Sequence, residues 1–270
     1  MSIRQFQPRG DRRRGISTRS SFVLYGLLLL AIACQISYPL VSGATLRVIT
    51  FLTVYSAAGL MATHSWLSYG PKYTAIFLLT TFVFSLGVEM LGSRTGWPFG
   101  NYSYSQSLGI QILGVPVVVP FAWIMLSHPV LVAARKVSPQ WVFLYGGVGL
   151  MAWDLFLDPQ MVADGRWSWV IKGAHVPLES QIPLSNAFGW LFAGIVLMGL
   201  LNLILPKERR KRGANFTAIN LFLLWTWFSG VVGNIFFFHR PGVALIGGII
   251  FGLVFLPYLF KTWFGRPDDF

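Results

Sequence analysis

Five acidic residues of this chain stand where acids are hardest to keep. Among 270 residues there are nine Asp and Glu. Glu89, Asp154, Asp158, Asp164 and Glu179 fall at the ends of apolar runs or in the loops beside them, whereas Asp11, Glu208, Asp268 and Asp269 lie in basic or terminal segments. Asp154 and Asp158 are four residues apart, so on a helix they share a face about one turn from each other. An ionised Asp inside a bilayer costs at least about 2.5–3.5 kcal/mol on insertion scales, and the neighbouring apolar runs hold no Lys or Arg to neutralise it. Two adjacent carboxyls withdrawn from water are expected to share a proton, which sets a general acid beside a general base. Each acid also has a plainer reading: Asp158 as a hydrogen-bonding partner of a neighbouring helix, Asp164 beside Gly165 as a turn residue, and Glu89 as an interfacial charge.

The elements that must position these acids follow from composition. With 54% hydrophobic and 11% charged residues and a mean hydropathy of +0.61, the chain is built for lipid rather than water. Apolar stretches at Ser21–Leu40, Leu46–Trp66, Tyr73–Leu91, Val115–Ala134, Trp141–Leu157, Asn186–Leu205, Phe216–Phe238 and Val243–Trp263 mostly approach the roughly 20 residues needed to cross hydrocarbon. The expected fold is therefore all-α, a polytopic membrane bundle of about eight transmembrane helices with two structured outer loops. The fifth stretch is the shortest and carries Asp154, and Pro159 reads as its stop. Counted from Trp141 as inner boundary, Asp154 lies roughly 20 Å and Asp158 roughly 26 Å along that helix.

Lys and Arg give the orientation, because cytoplasmic loops carry the excess. With an inside N-terminus and eight spans, sixteen fall on inner segments (Arg4, Arg9, Arg12, Arg13, Arg14, Arg19, Lys72, Arg135, Lys136, Lys207, Arg209, Arg210, Lys211, Arg212, Lys261, Arg266) and five on outer ones (Arg47, Arg94, Arg166, Lys172, Arg240). Both termini are then cytoplasmic, with residues 1–20 a basic tail, 21–265 a single transmembrane domain and 266–270 a short C-terminal tail. The same asymmetry accounts for the net charge of +12. It reads as topology and contact with anionic lipid headgroups, not nucleic-acid binding, since no base-reading module accompanies it. Arg12-Arg13-Arg14 ahead of an apolar run imitates a secretory signal with Ser42-Gly43-Ala44 as cleavage site. The run Phe22–Leu40 is longer than a signal core, so the first helix is expected to remain. One cysteine, Cys34, leaves neither an internal disulfide nor a thiolate metal cage.

Two loops break the apolar monotony, and both fall on the outer side. The first runs from Glu89 through Gly96-Trp97-Pro98-Phe99-Gly100-Asn101-Tyr102-Ser103-Tyr104 to Val115-Pro116. Its Gly and Pro residues forbid a continuous helix, while Trp97, Phe99, Tyr102 and Tyr104 supply a broad aromatic surface. The second runs from Asp154 and Asp158-Pro159 through Asp164-Gly165-Arg166-Trp167-Ser168-Trp169 to Gly173, Pro177, Pro183 and Asn186. The plainer reading of these rings is an interfacial aromatic belt. Their common side argues for one site.

The ordered set Glu89, Gly96-Trp-Pro-Phe-Gly-Asn-Tyr-Ser-Tyr104, Val115-Pro116, Trp123, Asp154, Asp158-Pro159, Gly165-Arg-Trp-Ser-Trp169 and Asn186 resembles the integral-membrane carotenoid biosynthesis proteins. Their characterised members are carotenoid hydratases of the bisanhydrobacterioruberin hydratase and gamma-carotene hydratase type. The likeness covers roughly residues 50–205, and the Arg-rich N-terminus and last two helices carry little of it. The resemblance implies a hydro-lyase that adds water to the terminal isopropylidene double bond of an acyclic carotenoid end and yields a tertiary alcohol. It also implies a lipid-soluble carotenoid substrate, with other membrane enzymes of the same pathway as partners. It brings no catalytic assignment.

The residues themselves suit that chemistry. A carboxylic acid protonates the less substituted alkene carbon, and a water assisted by a carboxylate attacks the tertiary cation. No cofactor or metal is expected, as there is no Gly-rich nucleotide loop and no paired-His motif. Asp154 is the expected acid, with Asp158 or Glu89 orienting water and Asn186 as polar partner. Trp97, Phe99, Tyr102, Tyr104, Trp123, Trp167 and Trp169 are the expected lining of a polyene channel, where one or two rings facing the cation contribute about 0.5–2 kcal/mol. His128, ahead of Pro129, reads as a packing residue and His175 as a solvated loop residue, although a His proton donor stays open. So do three other functions. A prenyltransferase uses an Asp-x-x-x-Asp helix but needs a second acidic cluster. A lycopene-type cyclase shares the protonation step and traps the cation with a double bond. A proton-coupled transporter usually shows repeated halves, which this chain lacks.

Overall fold

A computed structural model of the chain describes residues 18–206, 214 and 216–265. The basic run at 4–14, the run at 207–212 and the C-terminal tail from Arg266 lie outside the described residues. Among the described residues eight α-helices follow one another: α1 (Thr18–Ser37), α2 (Gly43–Tyr69), α3 (Pro71–Thr95), α4 (Val118–Val137), α5 (Val142–Ala163), α6 (Leu184–Ile204), α7 (Thr217–Phe236) and α8 (Pro241–Phe264). The all-α bundle expected from composition is what the chain forms. Seven of the eight are long and apolar enough to cross a membrane, and α5 is the exception.

That exception is physical. In α5, Asp154 and Asp158 lower the apolarity, yet the helix lies inside the bundle, packed on α4, α6 and α8, so it meets protein where its neighbours meet lipid. Nor does it stop at Pro159, as the sequence suggested. It continues to Ala163, because proline removes only one backbone hydrogen bond and the packing of Phe156 and Met161, both buried, holds the last turn in place. The helix ends one residue before the Gly165 turn, where φ is +64°.

The closest helix pair is α5 on α6, and small residues make it possible. A Cβ built on Gly147 would lie 2.5 Å from the Ile195 side chain and 2.9 Å from its backbone nitrogen, and one on Gly194 would lie 2.9 Å from the Cα of Gly147. The two backbones therefore touch, as small residues permit between membrane helices. Gly147→Ala should lower the melting temperature of the detergent-solubilised protein, since overpacking of this kind costs about 1–3 kcal/mol. An unchanged melting curve would show that the contact is looser than described. Most of α4 is buried as well, including Trp123, Leu126, His128, Val130 and Leu131, which makes it the central post of the bundle.

The departure from pure helix lies in the loops. Three two-stranded antiparallel ribbons form: β1 (Tyr102–Tyr104) with β4 (Trp167–Trp169), β2 (Gln111–Ile112) with β3 (Val115–Pro116), and β5 (His175–Val176) with β6 (Glu179–Pro183). The hairpin of β2 and β3 delays the start of α4 to Val118. The ribbon of β1 and β4 matters most here, because its strands come from the two loops that the sequence set apart. Tyr102 faces Trp169, Ser103 faces Ser168 and Tyr104 faces Trp167. Bonds from Ser105 N–H to the Arg166 carbonyl and from Val170 N–H to the Asn101 carbonyl extend it at both ends.

Candidate functional site

Glu89 lies near the C-terminal end of α3, 4% exposed, and its carboxylate accepts from three side-chain donors. Tyr102 and Tyr104 hydroxyls donate to Oε2 at 2.6 and 2.7 Å, and the Trp123 indole N–H donates to Oε1 at 2.9 Å. Local geometry brings the tyrosines there. α3 ends at Gly96 in the left-handed conformation, φ +77°, and the chain turns back so that β1 lies against the last turns of α3. Gly92 opens the space, for a Cβ there would lie 2.8 Å from the Phe99 ring and 2.9 Å from the Tyr102 hydroxyl. Burial and the adjacent Glu89 carboxylate both push the Tyr102 and Tyr104 phenols well above their ordinary range, which keeps them protonated donors. Three donors and no cation suit a carboxylate.

Asp154 and Asp158, 1% and 3% exposed, form the second acidic element on α5. The Asn186 side-chain amide, in the first turn of α6, bridges them: its Nδ2 donates to Asp154 Oδ2 at 2.9 Å and also to Asp158 Oδ2. The two carboxyls lie one helical turn apart on α5 and share this one donor group. Asp158 Oδ1 accepts from the Trp167 indole at 3.2 Å, while Asp154 Oδ1 is buried without a partner among the described residues. An arrangement with one N–H donor group between two carboxyls, and one oxygen left over, is chemically satisfied when the pair holds a proton.

The ribbon ties these elements together. Tyr104 and Trp167 are cross-strand partners with ring centroids 5.9 Å apart, and one holds Glu89 while the other holds Asp158. A single register position thus fixes two acids that belong to different helices. Between them lies a cavity of about 700 Å³, counted to its mouth, lined by Glu89, Asp158, Asn186, Phe99, Tyr102, Tyr104, Trp123, Trp167, Trp169 and Trp190, with Leu108, Val118, Val119 and Ala122 among its apolar walls. Removing one of Glu89's donors by Tyr104→Phe should lower the melting temperature of the detergent-solubilised protein without unfolding it. A hydrogen bond to a charged group is worth about 1.5–3 kcal/mol, and two others remain.

The sequence-derived residues fall into three groups. Glu89, Asp158, Asn186, Phe99, Tyr102, Tyr104, Trp123, Trp167 and Trp169 share the cavity. Asp154 lies behind Asp158 and lines a neighbouring crevice with Val176, Ile182 and Gly242, reaching the cavity through its partner. Trp97 stands apart: it is 53% exposed and packs edge-on against Phe192 at 5.2 Å, because the turn at Pro98 sends Phe99 inward and Trp97 outward. Glu179 forms an ion pair with Arg240 at 2.7 Å, Asp164 accepts from Tyr38, and His175 is exposed and bonds only the adjacent backbone. His128 is wholly buried far along α4, its Nε2 2.9 Å from His64 Nδ1, away from the three acids. Trp190 was not anticipated. It stacks on Trp123 with centroids 4.3 Å apart and planes 10° from parallel, and its i, i+4 relation to Asn186 is the sequence signal that marks it.

The chain is thus a polytopic helical membrane protein whose buried acids and aromatic rings meet in a cavity at one end of the bundle. Residues 25–255 match the family model described as "Carotenoid biosynthesis protein", and the chain belongs to that family. A curated relative, the bisanhydrobacterioruberin hydratase of Haloarcula japonica, is 31% identical over 167 residues, covering 57% of this chain and 55% of the relative. The chain therefore aligns with just over half the length of that relative. No solved structure matches the chain.

Proposed function

We propose that the chain is a carotenoid hydratase, adding water to the terminal isopropylidene double bond of an acyclic carotenoid end. The observation that carries this reading is the pairing of Tyr104 with Trp167, which sets Glu89 and Asp158, one member of the Asp154/Asp158 carboxyl pair, on one aromatic cavity. The Asp154/Asp158 pair acts as acid, with Asp158 delivering the proton. The alkene π electrons form the new C–H bond at the less substituted carbon, and the pair is left with one more negative charge. The tertiary cation that results faces the rings of Trp123, Trp167, Trp169 and Tyr102, where cation–π attraction stabilises it. A water oxygen then forms the C–O bond and Glu89 takes the released proton, which returns to the Asp pair through solvent. The sum is alkene plus water to alcohol, with the acid and base regenerated. The relative's name as a hydratase supports the same assignment. In this reading both termini are cytoplasmic, which the excess of Lys and Arg in the inner segments supports, and the cavity lies toward the outer surface, where a lipid-dissolved chain end meets water.

Expression in a host that accumulates acyclic and half-acyclic carotenoids tests the reading, with the pigments resolved by liquid chromatography and mass spectrometry. The expected product is heavier by one water for each reacted end. An isomer of unchanged mass with a shifted absorption spectrum would replace hydration by cyclisation, and unaltered pigments would remove the carotenoid-end chemistry altogether.

A further inference from the structure

The space between Glu89, Asp158 and their aromatic neighbours is small, so the body of a long polyene whose end reaches it needs another place. Two further spaces adjoin it. A chamber of about 1320 Å³, counted to its mouth, lies between α1, α2, α5 and α7, and it shares Thr50, Val54, Met125, Leu157 and Met161 with the acidic cavity. Beyond it, an almost wholly apolar groove between α1 and α7 shares Trp225, Phe228 and Val232 with the chamber. On α7 this groove extends from Leu221 to Val232, roughly 16 Å along the helix. It opens on the outside of the bundle, where Leu29 and Phe228 are exposed. The wall between cavity and chamber contains two Met side chains, whose unbranched thioethers adapt to a passing chain. At the junction of chamber and groove, the Trp225 indole donates to Gln35 Oε1 at 2.5 Å across the α1–α7 gap.

We infer that groove, chamber and cavity form one lateral channel. A long apolar polyene enters it from the bilayer between α1 and α7, passing the Trp225–Gln35 bond, and its body stays in the groove and chamber while its end reaches Glu89 and Asp158. This rests on the hydration reading for the identity of the occupant. Continuity with the acidic cavity, near-complete absence of polar lining in the groove and its elongation along α7 favour a polyene over a polar ligand.

The test uses the full chain in a polyene-accumulating host, with a photoreactive benzophenone-bearing phenylalanine at Val232, at Phe228, or at Leu203, which is 80% exposed on another face. After irradiation, a polyene-mass adduct is expected at Val232 and Phe228 and not at Leu203. Capture should persist in Asp158→Asn, where hydration is lost. Phospholipid adducts alone, or equal polyene labelling at Leu203, would overturn the channel even if hydrated pigment forms. Polyene capture with no hydrated pigment would keep the channel and remove the hydration reading. As a second probe, Val232→Trp narrows the junction and should cut hydration at least tenfold while Glu89 and Asp158 are untouched. Normal hydration in a folded Val232→Trp protein would also overturn the proposal.

Discussion

Asp158→Asn should lower water addition by about 10²–10⁴-fold, the contribution typical of a positioned general acid, while the protein still inserts and purifies. Asp158 is the member of the carboxyl pair that lines the aromatic cavity, and an amide in its place has no proton to give to an alkene. Asp154→Asn should be impaired but keep part of the activity: the shared proton loses its second site, while an amide oxygen at 154 can still accept from Asn186. Comparison of the two variants divides their roles. Activity lost in Asp158→Asn and partly kept in Asp154→Asn assigns proton delivery to Asp158 with Asp154 as its positioning partner. Full activity of Asp158→Asn at normal expression would end the assignment of the pair as acid. Measuring products by mass, in whole cells and in detergent, separates a chemical defect from poor insertion.

Glu89→Gln should cost about 10²–10³-fold in turnover, the range seen when a group aimed at developing charge is removed. The neutral amide no longer offsets the cation, and it takes no proton from the attacking water. It also brings N–H donors into a nest now supplied by Tyr102, Tyr104 and Trp123, so either the Tyr hydroxyls turn from donors to acceptors or the Trp123 indole loses its acceptor. Hydrogen bonds to a charged group are worth about 1.5–3 kcal/mol against about 0.5–1.5 for neutral ones, so a lower melting temperature is expected alongside. Pigment retention on the purified protein is the control. A variant that keeps its pigment and loses its turnover supports a chemical role. One that keeps both would leave Glu89 as a structural anchor for the ribbon.

Hydropathy was enough to find the helices, because lipid imposes a length and an apolarity that few other structures share. It failed at α5 in a way that is instructive. Asp154 and Asp158 make that helix look marginal, and Pro159 looks like its end, yet packing on three neighbours decides both its course and its length. The acids themselves were legible, since a carboxyl in an apolar stretch has few reasons to be there. What joins them was not. The pairing of Tyr102–Tyr104 with Trp167–Trp169 links segments more than sixty residues apart in sequence, and each strand is only three residues long, too short for alternation to announce it. Trp97 and Phe99 look equivalent in sequence, and only the turn between them decides which faces the cavity.

The ribbon of β1 and β4 also sets an order of assembly. Its first strand follows α3 and its second follows α5, so during synthesis Glu89 waits with its tyrosines until two further helices have been delivered to the membrane. Asn186 arrives later still, on α6. A chain halted after α4 holds Glu89 and its three donors but not Asp154, Asp158 or Asn186. The acidic centre is thus a late product of insertion, and a truncated or stalled chain carries none of its reactivity into the bilayer.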